Sequence, residues 1–335
     1  MKKVLINTNY RSAGSKVCVD DLSIKFRNAG FEIKRNDWNN YQEYDLVLFM
    51  SPDSEAVRAK KINPDIRVGI MDPKINMRRK EEVKTADFLI VSSIEQKDIF
   101  LKYNKNIFIY YMFPEIKEIF KEHTNKDKTI IAYHGNKLHL SGMLDVAWAL
   151  DELSNKYNIE LWIIYNIEKL GKWKNNLFKR CPLRHIQWSE ENYYKYLSQS
   201  DIGIMPNKKP INLKLGLQTT KLLKRFLGYK IYYNKYDYLM RFKYSSNPGR
   251  IYVFSQLYIP VVADFTPSCC QVIQDGKSGL LVYSKEGWYQ AIEQLILEPD
   301  LRQKMSINLK EYIDNNCSPE INFQKLLKFI ENLKK

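Results

Sequence analysis

Short, nearly unbroken apolar runs alternate with helical segments along this chain, and no other feature limits its fold as strongly. A strand with one wet face alternates apolar and polar residues. A continuous apolar run of strand length instead belongs in a parallel sheet covered on both faces. The first third holds such runs at Lys3 to Tyr10, Asp45 to Met50, Arg67 to Met71, Phe88 to Ser92 and Ile107 to Met112. Helical segments near Lys16 to Ala29, Ser54 to Lys60 and Ile94 to Tyr103 separate them. Val17, Leu22, Ile24 and Phe26 supply much of the apolar character of the first helix, and Gly30 suits its C-terminal stop.

The polar run Glu122 to Lys128 reads as a linker, after which the pattern restarts. Thr129 to Tyr133 is a new first strand that ends in His134-Gly135-Asn136. A helix from about Leu140 to Tyr157 follows, then strands at Glu160 to Tyr165 and Ile186 to Trp188, a helix at Glu191 to Gln199 and a strand at Asp201 to Met205. A chain of 335 residues is long enough for two such units, each with its own core. The expected division is residues 1–122, residues 123–317 and a terminal helical segment at 318–335.

Ser245 to Ser284 is the most informative stretch of the second unit. Pro260-Val261-Val262-Ala263 is a buried strand entered through a proline, and Leu280-Leu281-Val282-Tyr283 is another. Asp275-Gly276-Lys277-Ser278-Gly279 is the turn before the second. In doubly wound sheets, ligands bind outside the carboxyl ends of strands and next to helix starts. Asp264 to Ser268 occupies one such end, and Asn247-Pro248-Gly249-Arg250 opens a helix nearby. Lys208 to Lys243 interrupts the βα rhythm with a basic, aromatic, leucine-rich segment. It reads as an inserted helical pair, or as a basic surface for an anionic membrane.

Composition narrows the function classes. With 44% apolar and 27% charged residues the chain is globular rather than disordered. The apolar run that begins at Val4 ends at Asn7, so it reads as a first strand rather than a signal peptide, and the expected compartment is the cytoplasm. No apolar run is long enough to span a membrane. The five cysteines form no CxxC pair, which argues against a zinc site or a disulfide framework. The net charge of +15 suits an anionic substrate or surface, and equally a lysine-rich surface without a partner. No nucleic-acid-binding module is recognisable. GxGxxG after a strand, GxxxxGK[ST], GxSxG and HExxH are all absent. That argues against a nicotinamide dehydrogenase, a P-loop ATPase, an α/β-hydrolase and a zincin.

The strand-end loops remain. Gly14, in Arg11-Ser12-Ala13-Gly14-Ser15 after the first strand, lets a ligand approach the backbone. His134 and Gly135 close the first strand of the second unit, and Lys137 could meet a phosphate there. Ser245, Ser246 and Asn247 precede a helix whose first turn carries Arg250. A cation at the positive end of a helix dipole is unfavourable unless an anion joins it, so this group reads as a diphosphate cradle.

The stretch Pro248 to Ser284 resembles the donor-binding half of GT-B glycosyltransferases, in particular the "glycosyl transferases group 1" set. The resemblance rests on Pro260-Val261-Val262-Ala263, Val272-Ile273, Asp275-Gly276, Ser278-Gly279 and Leu281-Val282. Trp288, Ala291-Ile292, Leu295, Pro299, Leu301-Arg302 and Met305 continue it, so that it extends over about residues 129–334. It implies an α/β protein of two Rossmann-like domains facing across a cleft, with the terminal helix returning to the N-terminal domain. It further implies metal-independent sugar transfer, without a cofactor, from a nucleotide-sugar co-substrate to a glycan or lipid-linked acceptor in bacterial surface polysaccharide synthesis. A membrane contact through Lys208 to Lys243 at the inner face would suit such an acceptor. The family's spaced glutamates fall near Ser245 and Val253, and neither residue is acidic. Arg250 and Lys137 are the expected phosphate ligands, with Thr266 in the loop that sets donor selectivity. If the reaction inverts, Asp72 or Asp53 is the expected base. Rival readings are a sugar-nucleotide epimerase of the same architecture and a transferase-like binding subunit without activity.

Overall fold

The computed structural model describes residues 2–9, 13–51, 53–73, 80–111, 114–175, 177–210, 240–242 and 247–333. The first unit contains β1 (Lys3–Asn7), α1 (Ala13–Asn28), β2 (Glu32–Arg35), β3 (Leu46–Met50), α2 (Ala56–Ile62), β4 (Arg67–Met71), α3 (Lys80–Thr85), β5 (Phe88–Val91), α4 (Ile94–Phe100) and β6 (Ile107–Ile109). Its strands form a six-stranded parallel sheet in the order β2-β1-β3-β4-β5-β6. Every residue of β3 and β5 is buried, which explains their unbroken apolar sequences. The edge strand β2 is absent from the sequence-based reading. Glu32-Ile33-Lys34-Arg35 has no buried face, so only its pairing with β1 defines it as a strand.

The second unit contains β7 (Thr129–His134), α5 (Leu144–Leu153), β8 (Ile159–Tyr165), α6 (Ile167–Leu170), β9 (Leu183–Gln187), α7 (Tyr193–Leu197), β10 (Ile202–Met205), β11 (Lys208–Pro210), β12 (Met240–Phe242), α8 (Gly249–Gln256), β13 (Val261–Asp264), α9 (Pro267–Cys270), β14 (Leu280–Val282), α10 (Lys285–Leu297), α11 (Pro299–Cys317) and α12 (Pro319–Glu331). Six of its strands form a second parallel sheet, ordered β14-β13-β10-β7-β8-β9. The helix expected from Leu140 begins later, because Lys137–Gly142 is a 3-10 turn that ends at a glycine. β11 and β12 pair antiparallel on either side of residues 211–239. The segment read as an inserted helical pair therefore lies mostly outside the described residues.

Each sheet is covered on both faces, which gives two apolar clusters per unit. In the second unit, α5 and α10 cover one face, and α7, α8 and α11 the other. Gly203 in β10 lets α8 come this close: a Cβ there would lie 2.8 Å from the Phe254 ring. In the first unit one cluster joins α1 to Phe323, Leu326 and Ile330 of α12, so the terminal helix packs on the N-terminal sheet's own core. The Phe26 and Phe323 rings meet edge to face at 5.0 Å, and the Arg67 guanidinium donates to the carbonyl of Ile330 at 2.6 Å.

Candidate active site

Strand order places the site. In the second sheet the connections reverse direction between β7 and β10, and in the first between β1 and β3. Such switch points leave a crevice at the carboxyl ends of the strands. At the second sheet's crevice, His134-Gly135 leaves β7 and Pro206-Asn207 leaves β10, with Asp264 closing β13 alongside.

Asp264 is only 1% exposed, and both its oxygens are held. Oδ2 accepts from the backbone N–H of Asn207 at 2.6 Å, and Oδ1 from the Trp288 indole N–H at 3.2 Å. A buried carboxylate survives only when it is hydrogen-bonded in this way. It ties the ends of β10 and β13 to α10. The Asn207 side chain continues the chain of contacts: its Oδ1 accepts from Arg250 Nη2 at 3.3 Å, and its Nδ2 lies 3.4 Å from Cys269 Sγ.

Arg250 stands in the first turn of α8, with its guanidinium carbon 5.2 Å from the centre of the Tyr133 ring. Its Nη1 is buried and has no hydrogen-bond partner among the described residues. Pro248 is the N-cap of α8 and makes no side-chain capping bond, and the first turn holds no acid. A cation with an unpartnered buried nitrogen therefore sits at the positive end of a helix dipole, an arrangement completed by an anion.

The other expected ligands are placed as follows. Gly135 has φ +145°, and a Cβ there would lie 2.9 Å from the Tyr133 hydroxyl, so the loop passes close over that ring. His134 is 7% exposed, between the rings of Tyr193 and Phe254, and its Nε2 has no partner among the described residues. Burial first, and the Arg250 charge second, push the imidazole down to about 3, so it is neutral at physiological pH. The Lys137 ammonium donates to the carbonyls of Leu170 and Gly171 at the C-terminal end of α6. Asn247 Oδ1 accepts from the Gly249 N–H at 3.1 Å within the turn that opens α8. Thr266 is fully buried as the N-cap of α9, with its hydroxyl accepting from the Cys269 N–H. Gly14 lies in the first turn of α1, beside the switch point of the first sheet. Ser245 and Ser246 lie outside the described residues.

The two expected bases stand at the cleft side of the first sheet. Asp53 follows β3, and its Oδ2 accepts from the Asn9 N–H at 3.0 Å across the β1–β3 switch point. Asp72 follows β4 in a left-handed conformation, φ +46°, and its Oδ1 accepts from the Gln96 amide at 3.1 Å.

A third N-terminal carboxylate, Glu95, was not among the expected residues. It sits in the first turn of α4 and reaches across to the second unit. Its Oε1 accepts from the Ser268 backbone N–H at 3.2 Å and from the Ser268 hydroxyl at 3.0 Å. Its Oε2 is buried without a partner among the described residues. The sequence signal was present but ambiguous. Ser93 caps α4 through the Gln96 N–H, and an acid in the first turn of a capped helix is ordinarily explained by the helix dipole. Among the described residues no group of His, Cys, Asp and Glu is arranged to hold a metal ion.

No protein-family model matches the chain, and no curated protein matches it. Its fold is nonetheless that of several solved structures. Sucrose-phosphate synthase from Thermosynechococcus elongatus superposes with a TM-score of 0.65 at 9% identity, covering 99% of each chain. A glycosyltransferase from Rickettsia africae gives 0.64 at 12% identity, again over 99% of each. HepE from Anabaena, in complex with UDP-glucose, gives 0.57 at 10% identity over 99% of this chain and 100% of its own. With two six-stranded parallel sheets, helices on both faces of each and a returning terminal helix, the chain has the GT-B glycosyltransferase fold.

Proposed function

We propose that this protein is a glycosyltransferase that moves a sugar from a nucleoside-diphosphate donor to a carbohydrate or lipid-linked hydroxyl. The reading rests on one observation above all: Nη1 of Arg250, at the start of α8 on the crevice of the second sheet, has no hydrogen-bond partner among the described residues. HepE, a protein of similar fold, was solved in complex with UDP-glucose. In the transfer, the bond between the sugar's anomeric carbon and the diphosphate oxygen breaks, and a bond from that carbon to the acceptor oxygen forms. The nucleoside diphosphate leaves with the electron pair. Arg250 and the N–H groups of α8 stabilise the charge that grows on the leaving oxygens, and we assign them the role that a metal ion has in other sugar transferases. The proton of the acceptor hydroxyl goes to a carboxylate, Asp72 or Asp53, if the reaction inverts. It goes to the leaving diphosphate if the reaction retains. The basic surface implied by a net charge of +15 suits work at the cytoplasmic face of an anionic membrane, although no described helix is long and apolar enough to cross one.

The test is Arg250→Ala in the full-length protein. Titration with UDP and GDP by calorimetry identifies the nucleotide, and transfer from the matching sugar nucleotide is then followed. The variant is expected to lose about a hundredfold in turnover, the scale of removing one charge-stabilising group. Near-normal turnover in the variant would falsify the assignment of Arg250.

A further inference from the structure

The two domains meet over the site through groups of opposite character. Arg250 belongs to the C-terminal domain, and its buried guanidinium nitrogen Nη1 has no hydrogen-bond partner among the described residues. Glu95 belongs to the N-terminal domain and accepts twice from Ser268, one residue before Cys269. Cys269 Sγ in turn lies against the Asn207 amide that holds Arg250. Cation and carboxylate thus stand at the two ends of one short chain of contacts: Arg250, Asn207, Cys269, Ser268, Glu95. The Cys269 thiol, pushed up to about 12 chiefly by burial, feels the charges of both Arg250 and Glu95. The Glu95 carboxylate is incompletely satisfied: one oxygen has Ser268, and the other is buried without a partner among the described residues. A buried carboxylate oxygen in that state gains most from a new hydroxyl or ammonium donor, and loses most from a second carboxylate.

Chemistry orders what lies between these ends. In a nucleotide sugar the diphosphate is joined directly to the sugar, and the acceptor hydroxyl must reach the sugar's anomeric carbon. If Arg250 takes the diphosphate, the group next to it on the side of the N-terminal domain is the sugar itself. Resting on the donor-binding role assigned above to Arg250, we propose that Glu95 is a specificity-determining residue. It exchanges Ser268 for a hydroxyl or amino group of the transferred sugar, and it excludes sugars that carry a carboxylate.

The experiment measures dissociation constants by calorimetry for the full-length protein. The ligands are UDP, UDP-glucose and UDP-glucuronate, or GDP, GDP-mannose and GDP-mannuronate if GDP is the diphosphate that binds. The wild type is expected to bind the neutral sugar nucleotide about tenfold or more tighter than its uronate, the scale set by one charged hydrogen bond gained or opposed. Glu95→Gln should bring that ratio below about threefold, and Glu95→Asp, which keeps the charge, should restore most of it. Equal affinities for the neutral and carboxylated sugars in the wild type overturn the inference while leaving the diphosphate site intact. So does a ratio unchanged in a Glu95→Gln protein that still binds the diphosphate. Failure of the wild type to bind either diphosphate overturns the reading of the site, and this inference with it.

Discussion

At the scale of single residues, the site is held by groups whose roles depend on what surrounds them. Asp264 is a structural carboxylate because Asn207 and Trp288 occupy it, while one Glu95 oxygen has no partner among the described residues. Both read simply as acids in the sequence. Gly135 is the clearest test of local geometry. Its φ of +145° and the 2.9 Å approach to Tyr133 leave no room for a side chain, and the Tyr133 ring lies under the Arg250 guanidinium. Gly135→Ala should cost about 1–3 kcal/mol of stability in urea denaturation, from backbone strain and the clash. It should also weaken nucleotide binding, because the displaced ring supports the cation. A variant with wild-type stability and affinity would show that the loop tolerates a Cβ. Arg250 was legible because a cation at a helix start breaks a local rule. Glu95 was not, because an acid at a helix start obeys one.

At the scale of elements, the strands that were legible are those whose sequence records burial. Arg67 to Met71 is read with the same bounds in sequence and structure. The edge strand β2 left no such record, since its residues are exposed or half-exposed and only pairing with β1 orders them. The start of α5 was misplaced because Lys137–Gly142 forms a 3-10 turn whose residues also suit a helix. The terminal helix α12 is amphipathic, which predicts that it packs, but not on which body. The structure puts Leu326, fully buried, among Val4, Phe26 and other core residues of the N-terminal sheet. Leu326→Ala should therefore cost about 2–5 kcal/mol, as other large-to-small core substitutions do. Hydrogen exchange should place the loss in β1 and α1 rather than in the second sheet. Loosening confined to the second sheet would contradict the packing.

At the scale of the whole molecule, two buried histidines bias stability toward neutral pH. Burial lowers His123 to about 4 and His134 to about 3. In the unfolded chain a histidine titrates near about 6.5, so below that pH the unfolded state binds protons that the folded state refuses. Their contribution is fully present above that value, and is lost as the pH falls toward the folded values of about 4 and 3. The urea midpoint should decline as the pH is lowered from 7 to 5, and His123→Gln should make that decline shallower. The carboxamide of the variant can still donate to the Tyr258 carbonyl that His123 Nε2 meets at 2.8 Å. Equal slopes for the two proteins would contradict the assignment. Sequence alone determined that there are two α/β units, because a strand buried on both faces must be apolar throughout and the pattern starts twice. It also marked the strand-end loops and the anomalous Arg250. Only the tertiary structure decided which loops share a crevice, which carboxylates are already satisfied, and that Glu95 of one domain meets Ser268 of the other. Burial leaves a local imprint on composition, whereas a partner 173 residues away leaves none.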